Sequence, residues 1–305
     1  MHMIQLTLNP SLCYIFLMNT MLKNKDGLVF DIEEFAVYDG PGIRCAVFLK
    51  GCPLRCMWCH NPEGLSPKPE RVVTKSLCIH CGACEQACPS PGKCIGCGKC
   101  VAVCPKGCIR IAGTRMTAEE AASKIRRNAP ILAMNGGGVT FSGGEVMLQP
   151  DFVIAVRRLV PDVHALIETS GFASAEVFSR VASEMDMVIM DIKIVDPLLH
   201  KRYTGVDNVQ ILSNLLWLKS SGILFRIRIP LIPTVNDTYQ NMEATAALLE
   251  NSKNLEKVEL LPYNRAAGAK YAGVGLEYKP DFPEDRSPQI IAEPFERRGI
   301  VVEVM

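Results

Sequence analysis

Six β-rich apolar runs alternate with helical patterns along this chain: Cys45–Lys50, Val139–Ser142, Ala165–Glu168, Met187–Ile192, Leu224–Ile229 and Lys257–Pro262. That alternation limits the fold more than any other feature. Strands separated by helix-length segments pair in parallel through right-handed crossovers, which predicts an α/β barrel or an open doubly wound sheet. Helices are expected over Thr117–Asn128, Pro150–Val160, Ala175–Ser183, Val209–Ser220 and Thr238–Asn251. Thr117 with Glu120 makes a capping box, and Ser174 and Gly222 stand where helix caps belong. The chemistry-bearing groups all follow the ends of strands: Cys52–Cys59, Ser142–Glu145, Glu168–Gly171, Asp191–Lys193, Arg226 with Arg228, and Tyr263–Arg265. A barrel brings such ends to one mouth, whereas an open sheet strings them along a line.

Cys52, Cys56 and Cys59 are spaced C-x3-C-x2-C. A closed structural zinc site needs four ligands, which three thiolates cannot supply. Three thiolates on one short loop can hold three irons of a [4Fe–4S] cube and leave the fourth open to a small molecule. A zinc knuckle borrowing His60 is the alternative. Further on, Cys78-x2-Cys81-x2-Cys84-x3-Cys88-Pro89 is followed by Cys94-x2-Cys97-x2-Cys100-x3-Cys104-Pro105, the bacterial ferredoxin run twice over. In that arrangement the fourth cysteine of each run ligates the other cluster. One cube is thus expected on Cys78, Cys81, Cys84 and Cys104, the other on Cys94, Cys97, Cys100 and Cys88. Two four-cysteine zinc sites are the alternative. Only Pro89–Lys93 separates the runs, a short connection, and Cys108 is near enough in sequence to act as a spare ligand. Cys13, Cys45 and Cys108 are otherwise read as buried apolar residues.

The triple and its flanks, Asp39-Gly40-Pro41-Gly42-Ile43-Arg44, Val47-Phe48-Leu49-Lys50-Gly51 and Cys59-His60-Asn61-Pro62-Glu63, resemble the opening of a glycyl-radical-enzyme activating enzyme of the radical S-adenosylmethionine (SAM) superfamily. The resemblance implies a partial (β/α)6 barrel and an enzyme, a radical SAM oxidoreductase. Such an enzyme cleaves SAM at the cluster of Cys52, Cys56 and Cys59 and places a glycyl radical on a partner protein. It also implies roles around the mouth. Ser142, Gly143, Gly144 and Glu145 would cradle SAM, Lys193 would contact its carboxylate, and Asp191 would lie near the ribose, the target peptide or a cation. Arg228, more than Arg226, would reach the ribose or carboxylate, and Trp58 would shield the cluster. Glu168 and Thr169 would coordinate a monovalent or divalent cation. Asn264 stands where several activating enzymes have a SAM-contacting histidine, and asparagine keeps hydrogen-bonding capacity without the ring or its charge.

Three parts are expected: an N-terminal extension (residues 1–26), the barrel (27–71 and 114–305) and a ferredoxin-like dicluster insert (72–113). The insert is too poor in large apolar residues to bury a core and must be organised by metal; an electron relay is its simplest use, fed by a flavodoxin or ferredoxin. Thirty-three basic against thirty-two acidic residues make no electrostatic case for nucleic acid or a membrane surface. Fourteen cysteines in a mid-sized chain, eleven of them at ligand spacing, point to a reducing compartment, so a cytoplasmic, anaerobically active monomer is expected. The apolar stretch Leu12–Leu17 is too short to span a bilayer. Two rival functions are a radical SAM enzyme acting on a small molecule and an iron–sulfur electron carrier; the carrier would have no use for an open iron.

Overall fold

The computed structural model describes residues 20–305; the apolar stretch Leu12–Leu17 and Cys13 lie outside the described residues. The main sheet contains β1 (Asp26–Ala36), β2 (Arg44–Leu49), β5 (Thr114–Thr117), β6 (Gly138–Gly143), β7 (Ala165–Thr169), β8 (Met187–Asp191), β9 (Leu224–Leu231), β10 (Leu255–Pro262) and β11 (Val302–Val304). A separate two-stranded sheet pairs β3 (Glu70–Val73) with β4 (Ile109–Ala112). Strand order in the main sheet is β11-β10-β9-β8-β7-β6-β2-β1-β5.

That order decides between the two candidate architectures. From β2 through β6 to β11 every neighbour pair is parallel and follows chain order without a reversal. A doubly wound sheet would reverse at a switch point; an unbroken order keeps every right-handed crossover on one face and rolls the sheet around the other. The outermost strands β11 and β5 do not pair with each other, so the wall stays open. All six expected strands are present, and the fold is the mostly parallel α/β sheet of a partial barrel.

Three strands of the main sheet lie beyond those six. β1 runs antiparallel to β2, and its register shifts between Val29 and Asp31 and again between Glu33 and Ala36. Each bulge resets which face the side chains point to, so β1 lacks the clean alternation that marks a strand in sequence. β5 is short and largely polar, and β11 has only three residues. β1 begins at Asp26, inside the expected N-terminal extension, and Lys25 O accepts from Ala118 N at 2.8 Å.

The helices follow the expected pattern. Thr117 Oγ1 accepts from Glu120 N at 3.2 Å while Glu120 Oε2 accepts from Thr117 N at 2.7 Å, a closed capping box. The helix it opens runs through Pro130 to Met134, further than expected. The helix Pro197–Thr204 was not expected, although Asp196 before Pro197 is a local signal for one. The Asp196 carboxylate accepts from Leu198 N and Leu199 N at 2.9 and 2.8 Å. Between the sheet and its helices lies one continuous apolar core, including Val47, Phe141, Phe152, Ile167, Phe178, Phe225 and Leu260. Among the described residues no helix is long and apolar enough to cross a membrane.

Cysteine dominates the segment between β3 and β4. Its small buried cluster of Cys100, Cys108 and Ile109 packs against Val73, Cys78, Cys84, Cys104 and Ile111. Two single-turn helices, Ala83–Gln86 and Lys99–Ala102, each follow a glycine at positive φ, Gly82 and Gly98. The segment is thus a two-fold repeat whose core is largely thiol.

Two buried or half-buried histidines give the fold an acid-sensitive element. Burial, and then the Arg44 guanidinium, hold His164 below the usual histidine range; burial does the same to His200. Unfolded histidine takes up protons near pH 6.5 that the folded state accepts only at lower pH, so stability falls as pH drops through about 6.5. Tm should be lower at about pH 5.5 than at about pH 7.5, and His164→Gln should flatten that dependence. An unchanged slope in the variant would remove His164 as a cause.

Candidate active site

A cavity of about 300 Å³ lies at the C-terminal ends of the parallel strands. Its wall carries Cys52, Cys56, Trp58 and Cys59 after β2, Ser142, Gly143 and Gly144 at the end of β6, Glu168 and Thr169 from β7, Asp191 and Lys193 around the end of β8, and Arg228 from β9. Residues scattered over more than half the chain meet there because the strand order is consecutive.

Backbone contacts build the cysteine loop. Gly51 N donates to Gly64 O at 2.8 Å and Cys52 N to Leu65 O at 3.2 Å. Arg55 N and Met57 N donate to Thr204 O (2.7 Å) and Tyr203 O (3.0 Å), so the end of helix Pro197–Thr204 supports the loop. Trp58 packs on Tyr203 with ring centroids 6.4 Å apart. Burial pushes the thiols of Cys52 and Cys56 up to about 12 and that of Cys59 up to about 11. At neutral pH they hold protons that a soft metal must displace. Among the described residues, no three cysteine, histidine or acidic side chains converge as the ligands of one ion do. Thiols spread along a cavity wall suit a polynuclear cluster instead.

The glycine pair opposite leaves no room for side chains. A Cβ on Gly144 would sit 2.1 Å from Gly51 O, and Gly144 N donates to Leu49 O at 2.8 Å. Bare backbone thus lines the floor beside the cysteine loop.

Glu145 departs from the expectation that it would cradle SAM beside Ser142, Gly143 and Gly144. It is fully buried and does not line the cavity. One carboxylate oxygen accepts from Thr169 Oγ1 at 2.6 Å and Met147 N at 3.1 Å; the other accepts from Ser170 N at 2.9 Å and Ser170 Oγ at 2.5 Å. Burial raises its pKa, against the lowering effect of these hydrogen bonds. Its backbone N donates to Gly51 O at 2.7 Å, so Glu145 clamps the ends of β2, β6 and β7 together.

Lys193 and Asp191 do line the cavity, paired at 2.6 Å. Burial works against the Lys193 charge, but the paired Asp191 carboxylate favours it and the pKa is raised, so the ammonium is fixed at the mouth. Arg228 donates to Glu259 Oε2 at 2.6 Å, to Tyr38 O at 2.8 Å and to a carboxylate oxygen of Glu168. Glu168's other oxygen accepts from Ser142 Oγ at 2.6 Å. Both oxygens of Glu168 and the hydroxyl of Thr169 therefore have protein partners. Arg226 points below the mouth, donating to Glu256 (2.6 Å) and Glu259 (2.9 Å). Asn264 is exposed and off the cavity, where its Oδ1 caps a 3-10 helix by accepting from Ala266 N at 2.9 Å.

The Asp39–Arg44 segment leads into β2 at the N-terminal side of the sheet, and none of its residues lines the cavity. Gly42 has φ +67° and its Cβ would fall 2.3 Å from Asn135 O, so only glycine fits. Arg44 turns inward, fully buried, and donates to Thr140 Oγ1 at 3.0 Å and Val139 O at 2.5 Å. Lys50 and Glu63, also within the resemblance motifs, are buried structural charges: Lys50 pairs with Glu70 at 2.6 Å, and Glu63 with Arg110 at 3.1 Å.

A model of the radical SAM superfamily matches residues 46–249. The chain belongs to that superfamily. It is 36% identical over 85% of its length to the choline trimethylamine-lyase activating enzyme of Oleidesulfovibrio alaskensis, covering 90% of that protein. It is likewise 36% identical, over 92% of its length and 97% of the relative, to the (2S)-3-sulfopropanediol dehydratase activating enzyme of Klebsiella oxytoca. These relatives place it among the glycyl-radical-enzyme activating enzymes. A radical SAM methyltransferase from Sphaerobacter thermophilus shares the fold, with a TM-score of 0.51 at 14% identity over 98% of this chain and 82% of that one. Family membership implies SAM and a [4Fe–4S] cluster, and the site fits both: three thiols for three irons, bare backbone, the Trp58 ring packed on Tyr203 and two cations.

Sequence reasoning missed the Thr169–Ser170 hydroxyl pair beneath Glu145, Glu259 behind Arg228, and the helix that supports the cysteine loop. The Asp196-Pro197 cap could have revealed the last; the others are long-range contacts.

Glu145→Gln would point an amide donor at the donors of Ser170. A loss of about 2 kcal/mol in urea unfolding is expected, since a buried mismatch is costly. Wild-type stability in this variant would show that the clamp does not hold the strand ends.

Proposed function

We propose that this chain activates a glycyl radical enzyme, using Cys52, Cys56 and Cys59 to hold a [4Fe–4S] cluster that binds SAM. The observation that carries this reading is the meeting of three thiols, bare Gly143–Gly144 backbone and the Lys193 and Arg228 cations in one cavity of a barrel with an open wall. With a one-electron reductant, the cluster and SAM held there would supply the radical chemistry that takes one hydrogen atom from a glycine Cα of the partner, with methionine and 5′-deoxyadenosine as products.

The chain's own residues bind and orient. Lys193, held charged by Asp191, is placed to pair with the methionine carboxylate. Gly143 and Gly144 admit the ligand close to the strand ends. Trp58 and the Tyr203 ring behind it keep water from the cysteine loop. Arg228 ties the Tyr38 carbonyl on the β1–β2 connection to Glu168 in the cavity wall and so holds that wall in place. Glu168 and Thr169, named as cation ligands by the resemblance, would first have to release Arg228, Ser142 and Glu145. Asn264 would need its loop to turn before it reached SAM.

The insert extends the reading. One cavity gathers Cys78, Cys81, Cys84 and Cys104, with Cys108; another gathers Cys88, Cys94, Cys97 and Cys100. These are the sets that ligand exchange between two ferredoxin runs requires, and they support two further [4Fe–4S] clusters relaying electrons from a flavodoxin or ferredoxin.

Anaerobically reconstituted protein should therefore carry about twelve irons. Replacing Cys52, Cys56 and Cys59 together with alanine should remove about four of them and abolish 5′-deoxyadenosine formation. Continued SAM cleavage by that variant would refute the assignment.

A partner protein deuterated at its glycine Cα should pass the label into 5′-deoxyadenosine and show an organic radical by EPR. Label arriving from a small metabolite, with no radical on the partner, would favour the small-molecule rival.

A further inference from the structure

The two halves of the insert are not equivalent. Each cavity is lined by one full set of four cysteines, but the cavity of Cys78, Cys81, Cys84 and Cys104 holds a fifth thiol, Cys108, and the other holds none. Cys108 is buried, and its sulfur stands 3.4 Å from Cys104 Sγ. The position is built into the fold. Cys108 directly precedes β4, its carbonyl accepts from Thr74 N at 2.8 Å, and the adjoining Ile109 is in register with Val73 of β3. The turn after Cys104, closed by Gly107 N donating to Cys104 O at 3.1 Å, brings the two sulfurs together.

A [4Fe–4S] cube takes four thiolates, and the four cysteines of the run already supply them. A fifth thiol that remains protonated beside one of those sulfurs is a hydrogen-bond donor to it. We propose that Cys108 is a tuning residue: its S–H donates to the Cys104 thiolate and raises the reduction potential of the cluster on that side of the insert. This rests on the reading of the insert as a dicluster module. The physical cause is charge. Reduction adds one electron to the cluster and makes its sulfurs more negative, so a donor at a ligand sulfur stabilises the reduced state more than the oxidised one. No bond breaks and the proton stays on Cys108 Sγ; the electron comes from a one-electron protein reductant. The asymmetry makes the Cys108 side the preferred resting place for an electron in the insert.

The test uses full-length protein, anaerobically reconstituted, with EPR-monitored redox titration of each cluster. Cys108→Ala should keep the full iron content while one midpoint moves to lower potential and the other clusters stay put. The expected shift is about 59 mV for one electron, a roughly tenfold fall in the reduced-to-oxidised ratio at the wild-type midpoint. Cys108→Ser, which keeps a donor, should restore most of the shift. Loss of about four irons in Cys108→Ala would make Cys108 a ligand and overturn the proposal, as would full iron with unmoved midpoints. Wild-type protein with only about four irons would instead overturn the dicluster reading itself.

Discussion

One buried carboxylate organises the mouth of this barrel. Glu145 follows β6 directly, its backbone N–H bonds Gly51 O after β2, and its side chain takes four hydrogen bonds, three of them from Thr169 and Ser170 at the end of β7. An ionisable group with no exposure is tolerated only when its acceptor capacity is filled, and here that requirement ties together three strand ends. The cysteine loop and the Gly143–Gly144 backbone inherit their spacing from this clamp. Glycine is required at position 144 because the backbones it joins are already in contact.

Beneath the mouth the interior is charged rather than apolar. Arg226, Glu259, Arg228 and Glu168 alternate across β9, β10 and β7, ending at Ser142 on β6. Burial would raise the Glu259 carboxyl, but the guanidinium groups of Arg228 and then Arg226 outweigh it and hold it below the usual range. Removing either partner from such a chain strands a charge, so the network fixes side-chain directions across the sheet. Through Arg228 it reaches Tyr38 O, linking the cavity wall to the β1–β2 connection between residues 190 positions apart.

The insert follows a different logic. Its neck is the β3–β4 ladder, its interior is mostly sulfur, and its two halves repeat the same glycine-then-turn geometry. With Leu77, Ile79, Ile95 and Val103 exposed, it draws cohesion from thiols and, on the proposed reading, from the metal they hold. Glu63 of the barrel, paired with Arg110 of the insert, joins the two.

Much of this was legible in the sequence, because the signals are local. Apolar runs and caps marked the six parallel strands and five helices, and cysteine spacing marked the candidate ligands. β1 escaped because two bulges erase its alternation. Direction and neighbourhood belong to the tertiary structure alone. Glu145 and Glu168 both follow or end strands, yet one turns into the wall and the other onto the cavity. Arg226 and Arg228 share a face of β9, but only Arg228 stands high enough to line the mouth. Asn264 is spent on a local cap. The choice of barrel over open sheet lay in strand order, which depends on crossovers between distant segments that no local window contains. Sequence by itself determined which chemistry the chain carries, since ligand type and spacing are covalent facts; only folding decided which groups face one another, since that is set by packing across the whole sheet.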